Sequence, residues 1–244
     1  MSNLANGWMQ TATMAVVESV LLWSVVTIGL YYLVKRLNRR LPAWWSAPIF
    51  LTPVLLIFIT LTFNTNYATY LRGTHWLIVL LGPATVAFAV PIHEQRHLIL
   101  RHWPALVIGV LAGSSVAILS SWILASLLGL HGALRLSLLP RSVSTPFAMV
   151  VSGEIGGIPE LTAIFVILTG VFGASIGETI LYWLPLRSFM ARGALFGMGA
   201  HAVGSAKALE INRDEGAIAG LVMIFAGIVN VLAAPVLAYI LQKL

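Results

Sequence analysis

Apolar residues follow one another along almost the whole chain, in windows long enough to cross a lipid bilayer. An α-helix needs roughly 20 such residues to cross about 30 Å of hydrocarbon. The pattern therefore predicts an all-α, polytopic integral membrane protein with about seven or eight transmembrane segments. We place these segments at Met14–Val34, Trp44–Phe63, Trp76–Val90, Trp103–Leu128, Leu134–Val151, Leu161–Leu184, Phe189–Ala208 and Ala217–Leu241.

Two polar stretches interrupt this apolar pattern. The first runs from Leu139 to Pro159 and reads LPRSVSTPFAMVVSGEIGGIP; the second runs from Ala191 to Ala208 and reads ARGALFGMGAHAVGSAKA. Charged and hydroxyl groups at membrane depth cost free energy unless they face a cavity or a partner, so they mark substrate or ion pathways. The pattern indicates a transporter or a channel component.

The prolines of the first stretch predict a broken helix. Pro140 and Pro146 lack backbone donors and leave carbonyl groups of the preceding turn without partners. The segment Leu134–Val151 is expected either to cross the membrane with a kink or to enter it and return on the same side. In both cases a helix end is exposed at membrane depth, and the N-terminal end of a half-helix binds anions.

The residues around these prolines have the chemistry of a carboxylate site. Arg141 can hold a carboxylate through two parallel hydrogen bonds. Ser142, Ser144 and Thr145 add hydroxyl donors next to Pro146. An anionic substrate is the natural inference.

The same residue types also have purely structural interpretations. Arg141 can reach the lipid headgroups or pair with Glu154. Hydroxyl groups in membrane helices often only hold neighbouring helices together. Both interpretations stay open on the sequence.

Small and polar residues recur every four positions in the second stretch. Gly193, Gly197, His201 and Ser205 share one helix face, with Gly204 beside them, and such a face permits close helix approach. His201 lies in the middle of an apolar segment, where an imidazole can carry a proton or donate to an anion. The alternative is a histidine satisfied by a neighbouring carbonyl group. We therefore count His201, Gly204 and Ser205 as candidate substrate-binding residues.

Three side chains are candidates for proton coupling. They are His201, Glu178, which follows a face of small residues, and Glu94, which lies in a charged stretch. Carboxylates and imidazoles within membrane segments serve as proton relays in transporters. Glu178 can equally pair with a basic side chain, and Lys207 is expected to pair with Glu210.

A weak internal repeat connects two parts of the chain. Leu81–Pro91 reads LGPATVAFAVP and Leu138–Pro146 reads LLPRSVSTP; both contain Pro, any residue, Thr or Ser, and Val, at an offset of 57 residues. Paired broken segments of this kind indicate a binding site at the interface of an inverted repeat. The alternative is two independent proline kinks.

Composition supports the membrane class. Of the 244 residues, 59% are hydrophobic and 9% are charged, against about 25% charged in soluble domains, and mean hydropathy is +0.94. The net charge of +6 is interpreted as loop charge on the cytoplasmic side rather than as a nucleic-acid surface. The chain has no cysteine and no catalytic or metal-binding motif, so we expect no enzyme, metal site or cofactor.

Four runs of this sequence resemble the LrgB/CidB membrane-protein family, which includes the bacterial YohK-type proteins. The resemblance extends from about Trp76 to the C-terminus, and family members often have threonine where this chain has Ser144 and Ser205. It implies one membrane unit over residues 1–244, with an elevator-type transport core at 76–241 and peripheral or scaffold helices at 14–63. The four runs are Gly82–Gln95 (GPATVAFAVPIHEQ), Pro140–Ala148 (PRSVSTPFA), Gly156–Ala163 (GGIPELTA) and Gly199–Ala206 (GAHAVGSA).

The resemblance implies two different functions. Bacterial members are described as holin-like or antiholin-like proteins that modulate murein hydrolase activity and lysis, whereas a related plastid glycolate/glycerate translocator moves small monocarboxylates. The arginine and hydroxyl cluster favours a proton-coupled carrier of glycolate, glycerate, lactate or pyruvate. The family also implies a small LrgA/CidA-like membrane subunit as partner, an oligomer, and the bacterial inner membrane as location.

Overall fold

The computed structural model describes residues 2–41, 46–241 and 243, which form two compact units that meet in sequence between Pro83 and Ala84. No strand occurs in the described part of the chain, and the predicted all-α membrane class is confirmed. The predicted start of the second span, at Trp44, lies outside the described residues. Within the described residues, four helices are long and apolar enough to cross a membrane: Ser19–Arg40, Arg96–Leu127, Pro159–Trp183 and Arg213–Leu241.

The first unit consists of helices α1 (Ser2–Arg40), α2 (Pro48–Thr62) and α3 (Tyr67–Val79). Its α1 and α3 are joined by polar as well as aromatic contacts, since the indole of Trp76 donates to Ser24 Oγ at 2.7 Å. These contacts place α3 in the first unit. The boundary between the two compact units falls after Pro83.

Two short helices, α4 (Leu81–Ala87) and α5 (Ala89–Glu94), occupy most of the stretch predicted as a span at 76–90. Neither is long enough to cross a bilayer, because an α-helix rises about 1.5 Å per residue. Phe88, which joins the two helices, has helical backbone angles (φ −64°, ψ −14°), so the crossing expected there stays a prediction.

The second unit is built on three long helices: α6 (Arg96–Leu127), α9 (Pro159–Trp183) and α11 (Arg213–Leu241). Helix α6 is kinked at His102 (φ −122°, ψ 17°), just before Pro104, whose ring removes a donor and displaces the preceding turn. Beyond the kink, α6 runs parallel to α11. Buried apolar residues of the two helices form one cluster: Leu106, Val110, Ile218, Val222 and Ala226.

A helical hairpin lies between α6 and α9. Its first arm is α7 (Gly132–Leu138) followed by a 3₁₀ turn (Leu139–Ser142), and its second arm is α8 (Thr145–Glu154). Val143 and Ser144 form the tip, with extended backbone at ψ 151° and ψ 146°.

The reversal of this first hairpin is fixed by a buried cluster of hydroxyl groups. Thr162 Oγ1 of α9 lies 2.7 Å from Ser152 Oγ and 3.0 Å from the carbonyl oxygen of Ser137. Ser137 and Ser152 belong to different arms and would be about 22 Å apart along a continuous helix. The chain therefore enters and returns at the same end.

A second hairpin lies between α9 and α11. Helix α10 (Phe189–Ile211) is divided by His201, whose φ of 37° and ψ of −120° are not helical. The arms on either side of His201 pack against each other, because a Cβ at Gly204 would meet the carbonyl oxygen of Phe196. These residues would be about 12 Å apart along a straight helix.

Helix α9 contacts both arms of this second hairpin at one level. Gly177 faces the ring of Phe196 on the first arm, and the neighbouring Glu178 pairs with Lys207 on the second arm at 2.9 Å. Gly170, further back along α9, faces His201 at the tip. Helix α9 is therefore antiparallel to the first arm of α10.

The first arm of α10 runs in the same direction as α11. A Cβ at Gly193 would meet the carbonyl oxygen of Glu215, and one at Gly197 would meet Ala219. The side chains of Arg192 and Glu215 add an ion pair of 3.2 Å at the base of this arm. Since α6 is also parallel to α11, helices α6 and α9 point in opposite directions.

The two hairpins are copies in an inverted repeat. They occupy residues 132–154 and 189–211, so both ends are offset by 57 residues. Each follows a long helix, and these helices are antiparallel, so the hairpins enter from opposite ends of the unit and meet in its middle. Paired hairpins of opposite direction are typical of secondary transporters.

This arrangement decides between the two alternatives for one predicted span and corrects another. Of the two alternatives for Leu134–Val151, the structure has the one in which the chain returns on the same side. The crossing expected at Phe189–Ala208 is wrong, because the backbone of His201 breaks the helix. Arms of about 11 residues reach only about 16 Å, well short of a 30 Å hydrocarbon core.

Candidate binding site at the hairpin tips

The tips of the two hairpins meet at Arg141 and His201. His201 is 2% exposed, and its helix α10 contacts the 3₁₀ turn that contains Arg141. Gly170 of α9 packs against the imidazole, since a Cβ there would come within 2.9 Å of His201 Cε1. The candidate site is therefore enclosed by both tips and the middle of α9.

Arg141 brings a half-buried positive charge to this place. Its Nε donates to Ser121 Oγ of α6 at 2.9 Å, which holds one edge of the guanidinium group. Among the described residues it forms no ion pair, so it is not paired with Glu154, as one alternative proposed. The terminal nitrogens of Arg141 remain available for a carboxylate, which can accept two parallel hydrogen bonds.

Ser144 lies at the first tip, directly before α8. A serine in this position normally caps the helix, but its side chain makes no cap bond, and Ser144 Oγ is buried without a partner in the described part of the chain. Thr145 and Pro146 begin α8 and are half-buried, as is Ser142 before the tip. The first amide groups of a helix have no intrahelical partners and attract anions.

The second tip contributes two further polar atoms. His201 Nε2 and Ser205 Oγ are both buried and have no hydrogen-bond partner among the described residues. They lie one turn apart on the second arm, next to Gly204, which allows that arm to approach the first. A buried polar atom without a partner costs free energy, and a bound ligand would recover it.

Similarity to known proteins identifies the family of this chain. The model of the LrgB-like family matches residues 27–240. The chain belongs to the LrgB-like family. It is 38% identical to the uncharacterized protein YwbG of Bacillus subtilis over 212 residues, covering 87% of this chain and 94% of YwbG.

Other members of the LrgB-like family are similar over most of their length. Holin-like protein CidB of Staphylococcus aureus is 30% identical over 217 residues, covering 89% of this chain and 95% of CidB. An uncharacterized protein of Haemophilus influenzae is 32% identical over 220 residues, covering 88% and 94% of the two chains. No solved structure matches the chain.

Two candidates for proton coupling lie away from the tips of this LrgB-like protein. Glu178 is half-exposed and paired with Lys207, which also pairs with Glu210 at 3.4 Å, as the sequence predicts. Glu178 is eight residues along α9 from Gly170, about 12 Å. Glu94 is exposed at the end of α5. Of the three candidates, only His201 is at the site.

Sequence reasoning missed three residues at the depth of the tips. Gly170 supports His201, and Ser121 orients Arg141. Asn230 of α11 is 2% exposed and donates to Ser114 Oγ of α6 at 2.9 Å, so it joins the two parallel helices. A lone amide in the middle of a 29-residue apolar helix was a usable signal, because polar groups at that depth need partners.

Proposed function

We propose that this LrgB-like protein is a secondary transporter of small monocarboxylates. The observation that carries the proposal is Arg141, a membrane-depth arginine without an acidic partner in the described part of the chain. An unpaired charge in a low-dielectric region is costly, and a carboxylate provides the counter-charge. One arginine suits a substrate with one negative charge.

The polar atoms around Arg141 support the same substrate class. Ser144 Oγ, Ser205 Oγ and His201 Nε2 are buried and unpartnered, and the first turn of α8 adds amide donors and a partial positive charge. Together with Ser142, Thr145, Pro146 and Gly204, they would enclose a molecule of a few heavy atoms, such as glycolate, glycerate, lactate or pyruvate. We propose transport rather than catalysis.

The inverted repeat supports alternating access. Two hairpins that enter from opposite ends can expose one central site to each side in turn, as paired repeats do in other carriers. Movement of the hairpin core of the second unit is the expected step. A proton-coupled cycle would pass through the imidazole of His201, since Glu94 and Glu178 lie elsewhere.

The charge distribution supports an orientation in the bacterial inner membrane. Basic residues of the second unit concentrate at the end where the second hairpin enters, which the positive-inside rule assigns to the cytoplasm. Only Arg135 and Lys243 lie at the other end of the described unit. The residues at the basic end are Arg96, Arg101, Arg187, Arg192, Lys207 and Arg213.

The second candidate function is a holin-like role in the control of lysis. The observation that favours it is the name of the relative CidB, a holin-like protein. This function does not require an arginine and hydroxyl groups at two hairpin tips. Replacement of Arg141 and Ser144 by apolar residues of similar size would then leave lysis unchanged.

Uptake of radiolabelled glycolate into proteoliposomes tests the proposal, with and without an LrgA/CidA-like subunit as proposed partner. We expect saturable uptake that Arg141→Lys weakens, because a lysine cannot make two parallel hydrogen bonds. Arg135→Lys is the matched control, since it is the same change in the same hairpin, where the guanidinium lies over the ring of Trp122. If the wild-type protein takes up no small monocarboxylate, either with or without the subunit, the holin-like role is favoured.

A further inference from the structure

A groove on the second unit runs between helices α6 and α11, far from the hairpin tips. The two helices touch through the buried cluster around Leu106 and Val110, and beside this contact they leave a cavity of about 250 Å³. All of its lining side chains are apolar, and they include Ile99, Trp103, Val107 and Leu111 of α6 with Phe225 and Val229 of α11. Such a lining favours a hydrocarbon chain and disfavours a polar solute.

The groove has the length of one lipid leaflet. Its lining on α6 extends from Ile99 to Leu111, a rise of about 18 Å, and half of a hydrocarbon core of about 30 Å is about 15 Å. It begins one turn after the start of α6, at the basic end of the unit, and reaches Val229, the neighbour of the buried Asn230. An acyl chain of the leaflet at the basic end therefore fits along it.

Arg96 lies at the mouth of the groove, which is the end next to Ile99. It precedes Ile99 by three positions and Trp103 by seven, so the three residues share one helix face. The kink at His102 does not interrupt this face, since Ile99 and Trp103 line the same groove.

The guanidinium group of Arg96 is free to bind an anion. Arg96 is exposed, and its Nη1 lies 3.4 Å from Nε2 of His93. No carboxylate in the described part of the chain forms an ion pair with it. The mouth of the groove is therefore positively charged, whereas its length is apolar.

We propose that this groove binds an anionic phospholipid, with one acyl chain between α6 and α11 and the headgroup phosphate at Arg96. The arginine can donate two parallel hydrogen bonds to phosphate oxygens, and it would repel the ammonium group of a zwitterionic headgroup. Trp103 lies between the charge and the deeper lining, at the level where bilayer interfaces favour aromatic side chains. The site does not depend on the proposed transport of monocarboxylates.

Arg101 provides a comparison within the same helix. It follows Arg96 by five positions, which turns it about 140° around the helix and away from the groove, and it is also exposed. A general attraction of anionic lipids to this end of the unit would depend equally on both arginines. Binding in the groove depends on Arg96 alone.

Quenching of Trp103 fluorescence by brominated lipids tests the proposal in bilayers. The full chain is reconstituted in phosphatidylcholine that contains the same small fraction of dibrominated phosphatidylglycerol or dibrominated phosphatidylcholine. The part of the quenching that Trp103→Phe removes reports on the groove. We expect phosphatidylglycerol to bind there about fivefold more strongly, the effect of one basic side chain near an anionic lipid. Arg96→Gln should reduce this preference to within about twofold, and Arg101→Gln should retain it.

A second pair of variants tests the place of the acyl chain without a change in charge. Val107→Phe fills the groove, whereas Ile108→Phe places the same ring at an exposed position outside its lining. The first should weaken the quenching of Trp103 by phosphatidylglycerol about threefold or more, and the second should leave it unchanged.

Three results would overturn the proposal. Equal quenching of Trp103 by the two lipids in the wild type would mean that the groove holds bulk lipid only. A preference for phosphatidylglycerol that survives Arg96→Gln, or that Arg101→Gln removes to the same extent, would place the headgroup elsewhere. Equal effects of Val107→Phe and Ile108→Phe would place the acyl chain outside the groove.

Discussion

The carbonyl oxygen of Phe196 occupies the space where a side chain at Gly204 would begin, although the two residues are eight positions apart in one helix. This contact defines the second hairpin. Replacement of Gly204 by alanine should force the arms apart and lower the free energy of unfolding by roughly 1–3 kcal/mol. The midpoint of thermal unfolding in detergent measures the effect.

Gly199→Ala is the matched control for this first prediction. Gly199 lies in the same helix, and a Cβ there has nothing within 4 Å. Both changes replace glycine by alanine, so their effects on the unfolded chain are alike. Equal midpoints for the two variants would show that the arms do not pack as described.

The strain at His201 predicts a difference in stability between two variants at this position. The free energy of unfolding of His201→Gly should exceed that of His201→Ala by about 1 kcal/mol, because glycine adopts a φ of 37° without a clash. The unfolding midpoint of His201→Gly should therefore be the higher of the two. Both variants lack the imidazole, so the comparison isolates the backbone.

Circular dichroism of both variants in one detergent measures this difference. His201→Ala is the reference because it removes the same polar atom. A lower midpoint for His201→Gly would mean that the backbone at position 201 is not strained.

The hydrogen bond from Arg141 Nε to Ser121 Oγ predicts a role for Ser121 in substrate affinity. Ser121→Ala should raise the KM for glycolate by about three- to tenfold with little change in the unfolding midpoint, since an oriented guanidinium loses less entropy when it binds. Ser120→Ala is the control. Both hydroxyls bond to the carbonyl oxygen of Ala117, but Ser121 alone of the two contacts Arg141. An equal KM in both variants would exclude the role.

The membrane class and the residues of the candidate site could be predicted from the sequence, because both depend on residue type at local spacing. Apolar windows mark the long helices, and Arg141, Ser144, His201 and Ser205 stand out against them. Their separation in the chain is large, and only the fold brings the tips together. Local spacing carries no information about that contact.

The reversal of the second hairpin, and its pairing with the first hairpin as an inverted repeat, could not be predicted. His201 breaks its helix by a backbone conformation that its residue type does not favour, so no glycine or proline marks the tip. The two hairpins, aligned at their offset of 57 residues, share only Arg135 with Arg192 and Leu138 with Leu195. The sequence pairs Leu81–Pro91 with Leu138–Pro146 at the same offset. In the structure, however, Leu81–Pro91 belongs to short helices that are joined at Phe88, whose backbone angles are helical.

Two ion pairs on the second hairpin should differ in strength. The side chain of Glu215 is 6% exposed and that of its partner Arg192 is 33% exposed, whereas Glu178 and Lys207 are 51% and 37% exposed. Glu215→Gln should therefore cost about 2 kcal/mol, less than a fully buried pair because Arg192 reaches solvent. Glu178→Gln should cost under about 1 kcal/mol.

A double-mutant cycle with Arg192→Met separates the ion pair from the packing around it. Coupling between Arg192 and Glu215 should exceed coupling between Lys207 and Glu178. Unfolding in detergent at low and high salt provides the measurement, and the exposed pair should lose more of its coupling in salt. The reverse order would contradict the burial found here.

The two re-entrant hairpins predict which loops share a side of the membrane, and the absence of cysteine from the sequence makes single-cysteine labelling clean. Arg187→Cys and Arg213→Cys precede and follow the second hairpin, so a membrane-impermeant maleimide should label both from one side. His131→Cys and Glu154→Cys flank the first hairpin and should label from the other side. If each segment crossed the membrane once, the two members of each pair would label from opposite sides, which inside-out and right-side-out vesicles distinguish.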